Sequence, residues 1–557
     1  NDRESLQQAC DLFYENGDFY EIESTGSQYG YYTNRSYPAS ISDTSIYSLT
    51  YYDDYRVLQY PEFSPLAFSS TRAFVYRDND AEQNGYFDRV RGQVTLTRTR
   101  VLDGTNAHWV ATANYYDDRY RVIQQRSSLF PCGISTLSHR YDFTGNVMET
   151  WQVQEVENKE HELRTLNEYD HNGRLVKTHM ANDSTDYYRF SSQRYDDLGQ
   201  LREKDLRPAG TDTLQSIDYD YNIRGWLTRI NDVNDLSAQN DNDVFAMELS
   251  YDEEFTGLYN DQLYNGNISS AMWKNTGASN ETKTYTFSYN PLNQLESADY
   301  KYKTTGWFDP LRLSCIYDYD KNGNFLSLYR FGDDTTTLVY DNLTYTYKNN
   351  GKSNQLDQIN EQGSGTAGFI PGGDGKYYYD SNANMKQDNN KGITIRYNHL
   401  NLPQKITDNT NTIHYIYDAA GVKWQKVTMS DTVTYNGSFV YQGDSGNMQL
   451  DYVLHPEGMT KMQIDGPRDH FFIRDHLGNT RVEFQANPDH SYQITQRQSY
   501  YPFGLRFEVA PAGENEYLYN GKEIQEDLIA GRSLGWYDYG ARFYDAALGR
   551  FHTIDPA

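Results

Sequence analysis

The chain has little with which to cross-link itself: three cysteines in 557 residues, Cys10, Cys132 and Cys315, lie far apart. Their odd number leaves at least one outside any internal pairing, and no CxxC or other metal-ligand spacing occurs. No apolar run approaches a membrane span, and no signal-peptide pattern opens the sequence. The first residue is Asn1 rather than Met, so a processed or trimmed piece is expected, with any export signal missing. Cationic residues are outnumbered, 50 Lys plus Arg against 78 Asp plus Glu, for a formal net charge of −28. Such a surface repels phosphate backbones, which argues against nucleic acid as a partner; solubility accounts for the charge, although a basic partner or cargo would be accommodated. Catalytic fingerprints are missing too: no GxSxG, HExxH, Walker A or GxGxxG of catalytic quality appears. DGTNAH (103–108) and DNDAEQNG (78–85) superficially resemble calcium loops but lack the twelve-residue acidic spacing. No metal or cofactor is expected.

Tyrosine is what the chain has in excess: 53 Tyr beside 24 Phe and 7 Trp, with hydrophobic residues at 37%. Tyrosine suits pleated, half-buried surfaces, where the ring packs and the hydroxyl reaches a partner or water. With abundant Gly, Asn, Asp and Thr, this composition predicts an all-β chain. Residues up to about Ala81 show no clear repeat and read as strands of a leading cap, or as the tail of an upstream domain. From Gly92 the texture is regular, beginning with the period-two alternation of GQVTLTRTRVLDG. No helix-period stretch stands out, Lys522 to Ile529 excepted. Asn231 to Asp243 and Gly363 to Gly375 read as surface loops.

A seven-residue phrase then recurs. The best copies are YDFTGNV from Tyr141, YDHNGRL from Tyr169, YDDLGQL from Tyr195, YDKNGNF from Tyr319 and YDAAGVK from Tyr417. Degenerate copies begin at Tyr221, Tyr289, Tyr379 and Tyr397. In each, Tyr ends an incoming strand, and Asp or Asn opens a type I turn by accepting backbone N–H groups. Gly or Asn then takes the left-handed conformation, closing a three-residue loop with a G1 bulge. Each unit is one β-hairpin, too small to stand alone, which must stack on its neighbours.

These repeats, followed by LGWYDYGARFYDAALGRFHTIDP from Leu534 to Pro556, resemble bacterial RHS-repeat proteins with their RHS-associated core domain. YNIRGWL, DHLGNTRV, YYPFG and YLYNGKE resemble the Bacteroidetes version of that polymorphic-toxin scaffold. The resemblance implies a continuous spiral sheet of YD-repeat hairpins forming a cocoon-like shell, closed by the core. It divides the chain into an N-terminal cap or upstream remnant (1–90), the repeat shell (91–455) and the core (456–557). The core signature is carried by Tyr537, Asp538, Arg542, Tyr544, Asp545, Gly549, Arg550, Asp555 and Pro556. Several family members cleave themselves after the core with two aspartates; Asp555 matches the first, and the second has no counterpart here.

Other candidates have structural readings. His476 beside Asp475 in RDHLGNTR is a general base only if the fold places the pair on a substrate; a turn over DHLGN is the simpler reading. Strand tyrosines read as cross-strand packing rather than a sugar platform. Arg542 lies between two Tyr-Asp pairs and is expected to ion-pair with Asp538 or Asp545. At about 4.8 Å between strands and roughly 20 residues or more per hairpin, the chain offers some forty strands. That suffices for a partial turn or a small cavity, open or filled by side chains. The functional expectation is a non-enzymatic β-shell of a secreted or cell-surface effector, serving interbacterial competition, that encloses or presents a C-terminal toxin-type cargo beyond this chain. Partners would be that toxin domain, an immunity protein or the secretion machinery. The alternatives are an adhesion module for glycan or protein, and a self-cleaving aspartyl protease with Asp555 as half-site.

Overall fold

The computed structural model describes residues 3–555 except 16–20, 23, 25–31, 34, 38–41, 75–84, 106, 184–185, 209–212, 237–242, 278–280, 305, 309–311, 334–338 and 365–367. Its hairpins share one local device. In the copy at Tyr169, the strand Lys159–Tyr169 ends on the tyrosine and Leu175–Asn182 returns. Asp170 Oδ1 accepts the backbone N–H groups of Asn172 at 2.9 Å and Arg174 at 3.0 Å. Gly173 sits at φ 76° and a bulge falls between Glu168 and Tyr169, the loop expected from the sequence. The geometry recurs at Asp142, Asp196, Asn222, Asn290, Asp320, Asp380, Asn398 and Asp418, whose side chains each accept two backbone N–H groups. Where glycine is absent, Tyr120, Asn293, Ala383 and Asn401 hold the left-handed position at φ 60°, 61°, 66° and 61°.

The tyrosine adds a second device. Its hydroxyl reaches back to the neighbouring hairpin and donates to the carbonyl of the apolar residue that opens that hairpin's return strand. Tyr141 bonds Val122, Tyr169 bonds Val147, Tyr195 bonds Leu175, Tyr319 bonds Leu295 and Tyr347 bonds Phe325, all between 2.7 and 2.9 Å. The turn is thus local, but the tyrosine makes the repeat: it ties each unit to the one before it.

Successive strands pair antiparallel with their sequence neighbours. Among the described residues, those from Ser48–Tyr52 to Leu356–Glu361 form a sheet of 21 strands, and those from Tyr377–Tyr379 to Tyr492–Arg497 form one of 13. A bridge between Gln358 and Lys376, with the Ile359 N–H donating to the Gly375 carbonyl at 3.0 Å, runs the two into one ribbon.

The ribbon returns on itself. Val101, which follows the strand Val94–Arg100, forms an antiparallel bridge with Asp418. The Leu102 N–H donates to the Tyr417 carbonyl at 2.7 Å, and the Ala419 N–H to the Arg100 carbonyl at 2.8 Å. The second winding then runs along the first, rim to rim. Gln154 Nε2 donates to the Asn436 carbonyl at 2.8 Å, Tyr188 donates to Asp469 at 2.8 Å, and Lys204 pairs with Glu457 at 3.0 Å. Val101, Phe130 and Val156 meet Trp424, Tyr441 and Leu450 in an apolar seam. The same-handed twist of every antiparallel pair, accumulated over many strands, turns a flat pattern into a winding. The largest apolar cluster includes Phe190, Trp273 and Leu328 from the first winding, Tyr415 and Phe471 from the second, and Trp536 and Leu548 beyond it.

The leading segment departs from expectation. Arg3–Tyr14 is an α-helix, Ser48–Tyr52 is a strand on the sheet edge, and Arg56–Gln59, Pro61–Leu66 and Ser70–Arg72 are 3-10 turns. Helix formers at Gln7, Gln8 and Ala9 favour the first, while Pro61 and Pro65 cannot donate to a ladder. Val57, Leu58, Phe63 and Leu66 pack with Leu96, Ala113 and Tyr115 of the opening strands. Lys522–Ile529 is not helical: Glu523–Gln525 pairs with Trp536–Asp538, and Leu528–Ile529 with Arg532–Ser533. Ile524 and Ile529 are buried there, and β-branched side chains favour the ladder over the helix.

Candidate functional site

After the last long strand the chain folds into short pieces that lie against both windings. Trp536–Asp538, Phe543–Asp545 and Arg550–Phe551 form, with Glu523–Gln525, a four-stranded sheet. Tyr537 and Tyr544 are buried in it, and the Tyr544 hydroxyl donates to the Phe503 carbonyl at 2.8 Å. From the first winding, Arg330 donates to the carbonyls of Ala546 at 3.2 Å and Ala547 at 2.7 Å, and Tyr345 to that of Leu548 at 3.0 Å. Arg550 donates to the Asn354 carbonyl at 3.1 Å. Gly549 sits at φ 65°, where an added Cβ would lie 2.8 Å from the Phe325 ring.

From the second winding, Lys423 pairs with Glu523 at 2.7 Å and Asp538 at 2.6 Å, and the Tyr435 hydroxyl donates to Glu523 at 2.6 Å. Burial would raise the Glu523 pKa, but Lys423 and Lys426 outweigh it and hold the carboxyl below its ordinary range. Nearby, burial pushes the Glu516 carboxyl up to about 7; Lys426 opposes the rise, and Glu523, Asp527 and Glu526 add to it. Asp545 accepts from Trp536 Nε1 at 2.9 Å and lies 3.6 Å from Lys391 and 3.9 Å from His552. Burial moves His552 down to about 3 despite Asp545, and moves Asp388 up to about 6 against the pull of Lys391. Such paired, buried charges fix register more than they add net stability. Chemically, the signature residues Asp538 and Asp545 are anchors.

Arg542 corrects its expected pairing: its partner is Asp555, Nη2 to Oδ2 at 2.9 Å, and its guanidinium lies 4.0 Å over the Phe551 ring. Asp538 and Asp545 are already held by the half-buried Lys423 and Lys391, so they do not reach it. The Asp555 side chain is 60% exposed, and Pro556 lies outside the described residues.

The phrase at Asp475 is one more copy of the turn, with Arg474 in the tyrosine position. Asp475 Oδ1 accepts the backbone N–H groups of Leu477 at 3.0 Å and Asn479 at 3.1 Å, while Oδ2 accepts from Asn479 Nδ2 at 3.0 Å and Arg481 at 3.3 Å. The carboxylate is therefore spent on its own turn and on Arg481. Burial lowers the His476 pKa, with Asp475 opposing, so the ring is neutral near pH 7. The turn borders a cavity of about 550 Å³ between the first winding and the closing segment, walled by Trp273, Tyr285, Phe287, Tyr319, Tyr501 and Phe503. Among the described residues, no three His, Cys, Asp or Glu side chains are grouped to hold a metal, and no helix is long and apolar enough to cross a membrane.

Arg330 and Lys391 carry much of this arrangement and fall outside every quoted motif, while Lys423 and Arg481 lie in YDAAGVK and DHLGNTRV, phrases that do not disclose their partners. One signal was available: a charge at an inward position of an apolar strand, as at Arg330 in FLSLYRF.

No family model matches the chain. It is 24% identical over 159 residues to Toxin subunit YenC1 of Yersinia entomophaga, covering 28% of this chain and 15% of that protein. It is 23% identical over 175 residues to Salivary gland surface protein 1 of Aedes aegypti, covering 27% of this chain and 5% of that protein. Among solved structures, TcdB2-TccC3 without its hypervariable C-terminal region superposes at a TM-score of 0.48 and 16% identity. The match covers 85% of this chain and 26% of that one. The Photorhabdus luminescens Tc holotoxin pore superposes at 0.47 and 15% identity, with the same coverage of 85% and 26%. The chain thus spans about a quarter or less of each protein it matches.

Proposed function

We propose that this chain is the wall of an RHS-type toxin assembly, a mechanical rather than catalytic part that encloses or presents a C-terminal cargo. One observation carries the reading: the backbone bridge between Val101 and Asp418, at which the ribbon of hairpins meets its own beginning. A wall needs its windings held to one another, and the bridge with the apolar seam beside it supports that. The partial match to a toxin subunit supports the same reading. Secretion or display at the bacterial surface, service in competition between bacteria, and an accompanying immunity protein belong to this proposal. The test is protection. A flexible reporter with a protease site, fused to the C-terminus, should be cut more slowly than the same reporter free in solution. Equal cutting rates would reject enclosure, and absence of a ring-like outline in electron microscopy would reject the wall.

A second reading, an adhesion module, is favoured by the turn tips of the first winding. Phe143, Leu198, Ile223 and Leu292 are all exposed and fall on one rim, because two strands separate each Tyr-Asp turn from the next within a run. Saturable binding to cells or glycans, lost when these four become serine, would support it.

A further inference from the structure

The cavity beside Asp475 has walls and free valences that select a ligand. Its volume, about 550 Å³, suits a small molecule. The tyrosine hydroxyls of the wall are already committed: Tyr285 donates to the Leu313 carbonyl, Tyr319 to Leu295 and Tyr501 to Phe331, between 2.7 and 2.9 Å. What they offer the cavity is ring surface.

The polar end is different. Arg481 is 4% exposed and borders the cavity; one nitrogen reaches Asp475 at 3.3 Å, while Nε and Nη2 are buried without a hydrogen-bond partner. The guanidinium lies over the rings of Trp273 at 5.1 Å, Phe245 at 5.5 Å and Tyr500 at 5.7 Å, which attract the cation but leave those donors unspent. Asn293 and Gln294 also border the space. Their side-chain oxygens already accept hydrogen bonds from Asn265, Asn267 and Asn290, which leaves their amide nitrogens to donate. The one carboxylate present, Asp475, is saturated by its turn and by Arg481. His476 also borders the space, its Nδ1 buried without a hydrogen-bond partner and able to donate or accept according to the tautomer. The unspent donors of Arg481, Asn293 and Gln294 outnumber the acceptors, and with the aromatic walls they ask for a flat apolar body carrying an anionic acceptor.

We propose that this cavity binds an aromatic carboxylate, with the ring between Phe287, Tyr319 and Phe503 and the carboxylate on Arg481. The chemistry is shared by a free aromatic acid and by the carboxyl end of a peptide finishing in an aromatic residue. Titration calorimetry of the full chain separates these sources, using 3-phenylpropanoate and N-acetyl-Gly-Gly-Phe, each against its uncharged amide. The acid form of at least one should bind roughly tenfold or more tightly than its amide, the worth of one charge-assisted hydrogen bond. Which acid binds identifies the source. Arg481→Met should remove the preference for acid over amide. Because Arg481 is buried and its loss can disturb folding, Leu477→Trp provides an independent arm. Leu477 borders the cavity and is 54% exposed, so a larger ring there obstructs the mouth without entering the core. Acid and amide binding alike, no binding by any probe, or unchanged binding in Leu477→Trp would each overturn the proposal.

Discussion

Arg330 donates to the Ala547 carbonyl at 2.7 Å while a second nitrogen is ion-paired with Asp341, and both side chains are fully buried. One guanidinium thus neutralises a carboxylate of its own sheet and holds the backbone of the closing segment. Arg330→Met should lower stability by about 3–5 kcal/mol, since it strands the Asp341 charge. Arg330→Met with Asp341→Leu should recover much of that loss in denaturant unfolding yet leave the closing segment more open to proteolysis. Equal stability of single and double variants would mean that the pair is not the anchor.

The tyrosine stitches make a smaller prediction. Tyr169→Phe keeps the ring and removes the donor to the Val147 carbonyl, which should cost about 1 kcal/mol. Tyr120→Gly should act in the opposite direction. Tyr120 holds φ 60° where the best copies have glycine, a conformation costing other residues about 1–2 kcal/mol. Thermal midpoints moving in opposite directions for the two variants would bear out both roles; a shared sign would refute one of them.

Glu516 gives the closing segment a pH dependence. Its folded pKa, about 7, lies above the ordinary 4.5, so the folded state holds the proton more tightly than the unfolded chain does. The resulting stability is complete below about pH 4.5 and is lost as the pH rises through about 7. Glu516→Gln should therefore gain on the parent chain across that window, with no further gain above it. A midpoint difference that stays constant with pH would remove Glu516 from the balance.

Asp555 is the exposed member of its pair with Arg542, so Asp555→Asn should change stability by about 1 kcal/mol or less. If the self-cleavage alternative holds, the same substitution in a chain carrying the downstream sequence should abolish cleavage. Cleavage that continues would take Asp555 out of that mechanism.

The turns were legible because their physics is local. Asp170 satisfies N–H groups two and four residues ahead, and Gly173 supplies the left-handed step, so seven letters contain the whole device. The turn at Asp475 was readable for the same reason, which is why His476 was expected to belong to a turn. The partner of Arg542 was not: Asp538 and Asp545 are nearer in sequence, but Lys423, Trp536 and Lys391 had already claimed them. Lys423 comes from a strand and Lys391 from a turn more than 100 residues earlier, and Trp536 from the adjacent strand once it is paired. The leading helix and the 3-10 turns depart from the strand reading because Gln7, Gln8 and Ala9 favour a helix and Pro61 and Pro65 cannot donate to a ladder.

By itself, the sequence determined the all-β class, the hairpin unit and the position of each turn, since these depend on residues a few places apart. The tertiary structure alone decided that Val101 would meet Asp418 and that Arg330 would grip Ala547. Such meetings depend on twist summed over many strand pairs, a quantity to which each residue contributes little and which no motif spells out. It also decided the valences of the cavity, because whether Arg481 is free to donate depends on what the rest of the fold has already taken from Asp475.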